Sequence, residues 1–161
     1  MIITKEWLKS KHACQNNIDI FLKEWPDGCE VNRKNLERAI TLNLYLYWLV
    51  ENILPMGKYA EYNEKSISIE TEYREARAPL NVEYNAKISL ILANYRAKTS
   101  LIDIDYELAF SPIITEYGKK RAPLDVEYGA KMLPIQTNRQ NKLHALDIDT
   151  LVDFLGQDKT S

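Results

Sequence analysis

The 161-residue chain has few of the residues that build metal or disulfide sites. It contains two cysteines, Cys14 and Cys29, and two histidines, His12 and His144. Two cysteines do not make a disulfide framework, and in a reducing compartment both are ordinary thiols. His12, Cys14 and Cys29 could be drawn as zinc ligands, but a fourth ligand at a recognised spacing is missing. We therefore expect a protein that holds no metal ion and no other cofactor.

The sequence motifs of common enzymes are also missing. There is no glycine-rich phosphate loop, no Gly-x-Ser-x-Gly elbow and no His-Glu-x-x-His motif. Neither histidine has a nearby nucleophile that would complete a catalytic triad. Asp147, Asp149 and Asp153 form an acidic cluster, which helix capping and solvation explain better than metal binding or acid–base chemistry. The sequence predicts a non-enzymatic protein, and an enzyme of unknown type is the weakest alternative.

Neither an excess of one charge nor a long apolar run is present. The 21 basic and 23 acidic residues give a formal charge of -2, so the positive charge typical of duplex-binding proteins is missing and we expect no nucleic-acid partner. The first residues lack the basic start and apolar core of a signal peptide, and no stretch is long enough to cross a bilayer. These features predict a cytoplasmic protein without a membrane partner.

Residues 1–57 show the periodicity of a small helical unit. Thr4 can cap a first helix and Asn32 a third one, and Pro26 stops the second helix. The apolar stripe of this second helix consists of Ile18, Phe21, Leu22 and Trp25. A third helix is expected to end at Pro55. Its apolar face consists of Leu36, Ile40, Leu44, Tyr47 and Leu54. Three helices joined by short turns can pack together, with the tryptophans as large core contributors.

A tyrosine recurs every 11 residues through the middle of the chain. The seven repeat anchors are Tyr62, Tyr73, Tyr84, Tyr95, Tyr106, Tyr117 and Tyr128. An aliphatic residue follows each tyrosine by seven positions, and an acidic residue precedes most of them. The acidic row considered for partner binding consists of Glu72, Glu83, Asp105, Glu116 and Glu127. A fixed period over seven units indicates a repeat architecture, so the sequence predicts a tandem array over residues 58–138.

Two main backbone geometries compete for this array. Eleven residues make three turns of helix, so the tyrosines and aliphatic residues could form one stripe of a helical coil. Prolines at the sixth position after four of the tyrosines argue against a long helix, because an interior proline costs about 3 kcal/mol. They are Pro79, Pro112, Pro123 and Pro134. Short helices that open at each proline are a third option.

A short strand and a turn in each unit is the geometry that we favour. Segments 80–84 and 124–128 alternate apolar and polar residues, which is the period of a half-buried strand. Gly118 and Gly129, which accept positive φ, follow two of the tyrosines. The predicted fold class is therefore α+β, with a helical unit followed by strand-turn repeats in a solenoid or a meander. Residues 139–161 are predicted to form a polar linker and a capping helix.

The beginning of the chain and its repeats together resemble a known group of proteins. The segment Ile3-Thr-Lys-Glu-Trp-Leu-Lys9, with Ala13-Cys14 after it, precedes Glu-Tyr units that contain Arg-Ala-Pro. The best-matching units are Glu72-Tyr-Arg-Glu-Ala-Arg-Ala-Pro79 and Glu116-Tyr-Gly-Lys-Lys-Arg-Ala-Pro123. Over residues 1 to about 135, this combination resembles uncharacterised bacteriophage and prophage proteins with a small helical head and 11-residue repeats. The resemblance implies a phage or mobile-element origin and a bacterial host cell, and it brings no known activity.

The functional hypothesis that we favour is a non-enzymatic repeat protein that binds a host or phage macromolecule, since repeat arrays present extended, regular faces. A protein partner is expected, and inhibition of a host defence complex is one form that the function could take. The acidic row could meet a basic patch on that partner. The alternative is a small-ligand or glycan-binding module that stacks its ligand on the tyrosine row. A homo-oligomer is compatible with either hypothesis.

Overall fold

The computed structural model describes residues 1–99 and 106–157, which are mostly α-helical. The helices are α1 (Lys5–Ser10), α2 (Gln15–Glu24), α3 (Arg33–Thr41), α4 (Leu46–Ile53), α5 (Met56–Thr99) and α6 (Tyr106–Gln157). Two strands, β1 (Ile2–Ile3) and β2 (Cys29–Glu30), pair antiparallel and are the only strands within the described ranges. Gly28, at φ 99°, allows this close approach, because a Cβ there would lie 2.9 Å from the Ile3 carbonyl oxygen.

The predicted α+β class with strand-turn repeats is wrong, because all described residues of the 11-residue units lie within the long helices α5 and α6. Short helices that begin at each proline are wrong as well. Pro79 lies inside α5, and three further prolines lie inside α6. Within the described residues, the repeat units therefore form two long helices that continue through the prolines.

The four helical prolines are tolerated because all of them are exposed to solvent. An interior proline removes one backbone hydrogen bond and crowds the carbonyl four residues earlier. On an exposed face, water can bind that carbonyl, so no buried polar group is left without a partner. The constant spacing of six residues after a tyrosine keeps every proline about 120° around the helix from the tyrosine stripe.

The chain divides into two compact units. We call Met1–Ile69 with Gln140–Ser161 the head, and we call Glu70–Arg139 the helix pair. The boundary expected at residue 57 falls in the first turn of α5. The linker and separate capping helix expected over 139–161 are wrong, because α6 runs without a break to Gln157.

Two helices of the head begin at the capping residues that the sequence predicts. The Thr4 hydroxyl accepts a hydrogen bond from the Trp7 backbone N–H at 3.2 Å, which confirms the first cap. In the same way, Asn32 caps α3 by accepting from the Asn35 N–H at 3.0 Å.

The single third helix expected from the sequence is broken into α3 and α4. Asn43 lies in this break at φ 57°, a left-handed conformation that asparagine adopts more readily than most residues.

The core of the head brings together residues that are distant in the sequence. Its most deeply buried side chains include Ile18 of α2, Val50 of α4 and Leu151 of α6. The three tryptophans pack against this core but are only partly buried. They therefore lie around the core and not at its centre, which leaves aromatic surface available at the edge of the head.

Replacing Pro123 with alanine should raise the free energy of unfolding by up to about 3 kcal/mol, because the interior of α6 regains a backbone hydrogen bond. Urea denaturation of the full chain measures the change. Pro26→Ala, in the turn after α2, is the matched control and should give no comparable gain. Lower stability of Pro123→Ala would contradict an interior helical position for this residue.

Candidate functional site

Two nearly identical segments face each other in the helix pair. Residues 77–87 of α5 read RAPLNVEYNAK and residues 121–131 of α6 read RAPLDVEYGAK, so only two of 11 positions differ. The rings of Tyr84 and Tyr128 lie 4.5 Å apart between centroids. A second ring pair, Tyr95 with Tyr117, lies 5.1 Å apart. Because the later tyrosine of α5 pairs with the earlier one of α6, the helices run antiparallel.

Equivalent residues make equivalent hydrogen bonds across this pair. The Tyr84 hydroxyl donates to the Asp125 carboxylate, and the Tyr128 hydroxyl donates to the Asn81 side-chain oxygen. Asn81 and Asp125 occupy the same position in the two segments. The two segments are therefore related by a local twofold axis, as in the self-complementary interface of a symmetric dimer.

A closed ring of ion pairs flanks the Tyr84–Tyr128 pair. Along each helix, Lys87 lies 2.8 Å from Glu83, and Lys131 lies 2.8 Å from Glu127. Across the pair, Lys87 lies 3.3 Å from Glu127, and Lys131 lies 3.1 Å from Glu83. Hydrogen bonds from both lysines lower the pKa of each glutamate. Since all four side chains keep more than two fifths of their surface exposed, the ring adds little stability and mainly favours one alignment of the helices.

The next layer of the helix pair keeps half of this ring. Lys120 and Lys98 both donate to Glu116 and lower its pKa to about 2. Asn94 stands where a second glutamate would complete the ring. The charge pattern therefore differs between layers, while the tyrosine pair is retained in both.

An arginine continues the tyrosine register beyond the last tyrosine. Arg139 follows Tyr128 by 11 residues, and its guanidinium lies 5.0 Å from the centre of the Tyr73 ring. Its Nε also donates to the Glu70 carboxylate at 2.9 Å. A stacked cation thus replaces the second ring of the pair. A search for tyrosine alone misses this position, although the 11-residue spacing points to it.

The acidic residues considered for partner binding have different positions. Glu83, Glu116 and Glu127 lie in the intramolecular ion pairs described above. Glu72 is exposed on α5, and Asp105 lies outside the described residues. The structure therefore brings only Glu83 and Glu127 together, while Glu116 lies in the next layer. Each of these three glutamates meets lysines of the same chain.

The anchor tyrosines mostly face other parts of the protein. Five of them are half-buried in the helix pair, namely Tyr73, Tyr84, Tyr95, Tyr117 and Tyr128. Tyr62 is buried in the head, and Tyr106 begins α6, with its side chain outside the described set. Paired rings have little free face on which a sugar or another ligand could stack. Their geometry favours a structural role.

A buried hydrogen bond ties α5 to α6 within the head. The Tyr62 hydroxyl donates to the Asp147 carboxylate at 2.6 Å, and the two residues are 2% and 4% exposed. Burial raises the pKa of Asp147, whereas the Tyr62 hydrogen bond and nearby His144 act in the opposite direction. Burial also raises the pKa of Tyr62. Asp147 is thus a core residue of the head.

The other two members of the C-terminal acidic cluster have separate surroundings. Asp149 is paired with Arg33 of α3, and Asp153 is exposed on α6. The expected first-turn capping role is wrong, because all three aspartates lie well inside α6. Within residues 1–99 and 106–157, no three side chains of the metal-ligating types come together.

Acidification should stabilise the native protein relative to Asp147→Asn. The folded-state pKa of Asp147 lies above its ordinary value of 3.8, so its favourable contribution is complete below that value and is lost as the pH rises through the folded pKa. Urea denaturation between neutral pH and about pH 4 measures the difference between the two proteins, with Asp153→Asn as the exposed control. A pH-independent difference for Asp147→Asn would contradict the raised pKa.

An apolar cleft of about 500 Å³ opens in the head. Residues of α1 to α4 and of both strands line it. Its larger apolar and aromatic lining residues include Leu8, Phe21, Trp25, Leu36, Leu46 and Trp48. Many of these side chains also belong to the buried core, so the walls of the cleft are set by the packing of the head.

The cleft also has polar lining residues, among them His12, Asn17 and Asn35. Two carboxylates, Glu30 and Glu51, line it, and no lysine or arginine is among the described residues that do so. The Asn35 side chain donates to the Glu30 backbone carbonyl at 2.8 Å. Glu51 accepts a hydrogen bond from the Tyr59 hydroxyl at 3.3 Å. The surface of the cleft is therefore mostly apolar, and two of its polar lining residues are carboxylates.

Both cysteines line this cleft, together with His12. Cys14 is exposed, whereas Cys29 is buried. Burial, together with the charge of Glu30, raises the pKa of Cys29 to about 11. Because the thiolate is the reactive form, the two residues differ strongly in expected reactivity.

Cys14 should react with a thiol reagent at neutral pH much faster than Cys29 in the native protein, because Cys29 is both buried and protonated. Mass spectrometry after brief alkylation locates the label, and alkylation in urea provides the control in which both cysteines react. Equal labelling of both residues in the native protein would contradict the buried position of Cys29.

Comparisons with known proteins provide no further assignment. No family model matches the chain, and no curated protein and no solved structure matches it either. No helix in the described part of the chain is long and apolar enough to cross a membrane. The functional argument therefore starts from the geometry of this chain.

Proposed function

We propose that this is a non-enzymatic protein that binds another protein, and that the cleft of the head is the contact surface. The observation that carries this proposal is the preformed apolar cleft of about 500 Å³. Binding sites are commonly concave and mostly apolar, with volumes of about 300–1,000 Å³. Aromatic residues such as Trp25 and Trp48, which line the cleft, are enriched at the centres of protein interfaces.

Recognition through the acidic row has less support than recognition through the cleft. Glu83, Glu116 and Glu127 already meet lysines across the helix pair. A basic partner would have to compete with these intramolecular ion pairs. The cleft, in contrast, has an apolar surface whose burial by a partner would be favourable.

The resemblance to phage proteins supports bacterial host proteins as the first partners to test. Within this group, components of a host defence complex are the candidates that the resemblance favours. Such a role needs tight binding and no chemistry in the phage protein. It is therefore compatible with a head that presents a preformed apolar cleft.

Affinity retention from a host lysate tests the proposed function. The immobilised full chain is compared with Asn17→Trp, which places a large side chain at a residue lining the cleft, and with Asn16→Trp, its exposed neighbour outside the lining. We expect a partner protein to be retained by the native chain and by Asn16→Trp, and to be reduced at least about tenfold on Asn17→Trp.

Two other outcomes have distinct meanings. Retention of the same protein by both tryptophan variants would place recognition outside the cleft, and the exposed faces of the helix pair would be examined next. If the native chain retains no protein, the proposal of protein binding is contradicted. Far-ultraviolet circular dichroism of the variants shows whether each of them keeps its helical fold.

A further inference from the structure

We propose that the chain also binds a second copy of itself by exchange of α6, so that α5 of each copy pairs with α6 of the other. This inference goes beyond the proposed function, because it concerns the helix pair and not the cleft. Three observations carry it: the chemical equivalence of the two paired faces, the register in which they pair, and the continuity of the repeat from one helix to the next.

The two faces of the helix pair carry nearly the same residues. Segments 77–87 and 121–131 differ at two positions, and at one of these Asn81 and Asp125 both accept a hydrogen bond from the tyrosine of the facing segment. The ion pairs across the ring are reciprocal in the same way. None of these contacts requires the two segments to belong to one chain. An α6 from a second copy therefore makes all of them, and such an exchange of identical elements is a low-cost route to a dimer.

The register of the helix pair is centred on an anchor of the repeat. The pairs across it are Tyr84 with Tyr128, Tyr95 with Tyr117, and Tyr73 with Arg139. In each pair, the two residues are equally far in sequence from position 106, which is itself a tyrosine of the repeat. If two copies lie antiparallel in this register, their arrays therefore match unit for unit, with the same residues opposite one another as in the single chain.

The 11-residue repeat continues without a change of spacing from α5 to α6. The first helix ends at Thr99 and the second begins at Tyr106, yet Tyr95, Tyr106 and Tyr117 keep the interval of 11. Chain reversals are commonly marked by glycine or proline, and positions 100–105, Ser-Leu-Ile-Asp-Ile-Asp, contain neither. The sequence thus keeps the phase of the repeat where a pair within one chain has no use for it, and this favours pairing between copies.

Exchange of α6 preserves contacts that pairing of like helices would lose. Two α5 helices could bring equivalent tyrosines together, but Arg139 would then leave the Tyr73 ring, and the buried hydrogen bond between Tyr62 and Asp147 would break. An exchanged α6 supplies both contacts from the second copy. Because the same contacts form within one chain and between two, the balance between the two forms depends on protein concentration.

Charge-reversed variants of the full-length protein test the exchange. The α5 variant carries Glu83→Lys and Lys87→Glu, and the α6 variant carries Glu127→Lys and Lys131→Glu. Alone, each variant sets like charges against each other across the helix pair, whether the pair forms within one chain or between two. In a mixture, only a dimer that holds one copy of each variant restores opposite charges across both of its helix pairs.

Mixing of the two variants is measured after they are refolded together from urea. One of them is labelled with ¹⁵N, because their compositions are identical. Native mass spectrometry separates single chains of 18.7 kDa from dimers and identifies the copies that each dimer holds. The matched control is Lys58→Glu with Glu61→Lys, mixed with the native chain, because this ion pair joins two exposed residues of α5.

We expect the native chain to form dimers whose share rises with concentration. The mixed variants should form more dimer than either variant alone, and at least about three quarters of these dimers should hold one copy of each, whereas random pairing gives half. The control should pair at random with the native chain. A chain with all four substitutions restores opposite charges within itself and should behave as the native chain does.

Three results would overturn the inference. One is a native chain that stays single at every concentration. Another is random mixing of the α5 and α6 variants, which would place the dimer contact outside the helix pair. The third is an excess of dimers that hold two copies of the same variant, as pairing of like helices requires. Circular dichroism shows whether each variant is helical, and a variant that unfolds alone is still tested in the mixture, where the mixed dimer restores its ion pairs.

Discussion

Eleven residues complete three turns of an α-helix, so residues 11 apart lie one above another on the same face. This match places the tyrosines of α5 and α6 on matching stripes, and the two stripes meet in ring pairs such as Tyr84 with Tyr128. Because the same unit occurs on both helices, antiparallel packing produces a local twofold axis. Where a glutamate precedes the tyrosine and a lysine follows it by three residues, these charges can pair both along and across the helices, as Glu83 does.

The sequence predicts the period, the tyrosine anchors and the caps at Thr4 and Asn32, because each depends on local spacing. It does not decide the backbone geometry, since segment 80–84 satisfies two periods at once. Leu80 and Tyr84 share a strand face, and at a separation of four residues they also share a helix face. Val82 separates the two cases: a strand would place it with Leu80 and Tyr84, whereas it is 70% exposed. The exposure of the prolines depends on how the two helices pack, so the sequence does not predict it either.

The candidate site was less predictable than the fold, because the cleft is built from elements that only tertiary packing brings together. The sequence predicts a core position for the aromatic residues of the second and third helices, although Trp25 and Trp48 are only partly buried and line a cleft. The break at Asn43, which separates α3 from α4, has no strong proline or glycine signal. The Tyr62–Asp147 hydrogen bond joins residues 85 positions apart. Repetition of the 11-residue unit thus determines the structure of the helix pair, whereas contacts between residues distant in the sequence determine that of the head.

Nuclear Overhauser effects between tyrosine rings test the central claim most directly. With ring-labelled tyrosine in the full chain, and with Tyr→Phe variants to assign the signals, the account predicts contacts between Tyr84 and Tyr128 and between Tyr95 and Tyr117. It predicts none between Tyr73 and Tyr84, which are about 16 Å apart along one helix. Contacts between successive tyrosines, as in repeats stacked about 4.8 Å apart, together with no contact between Tyr84 and Tyr128, would contradict it.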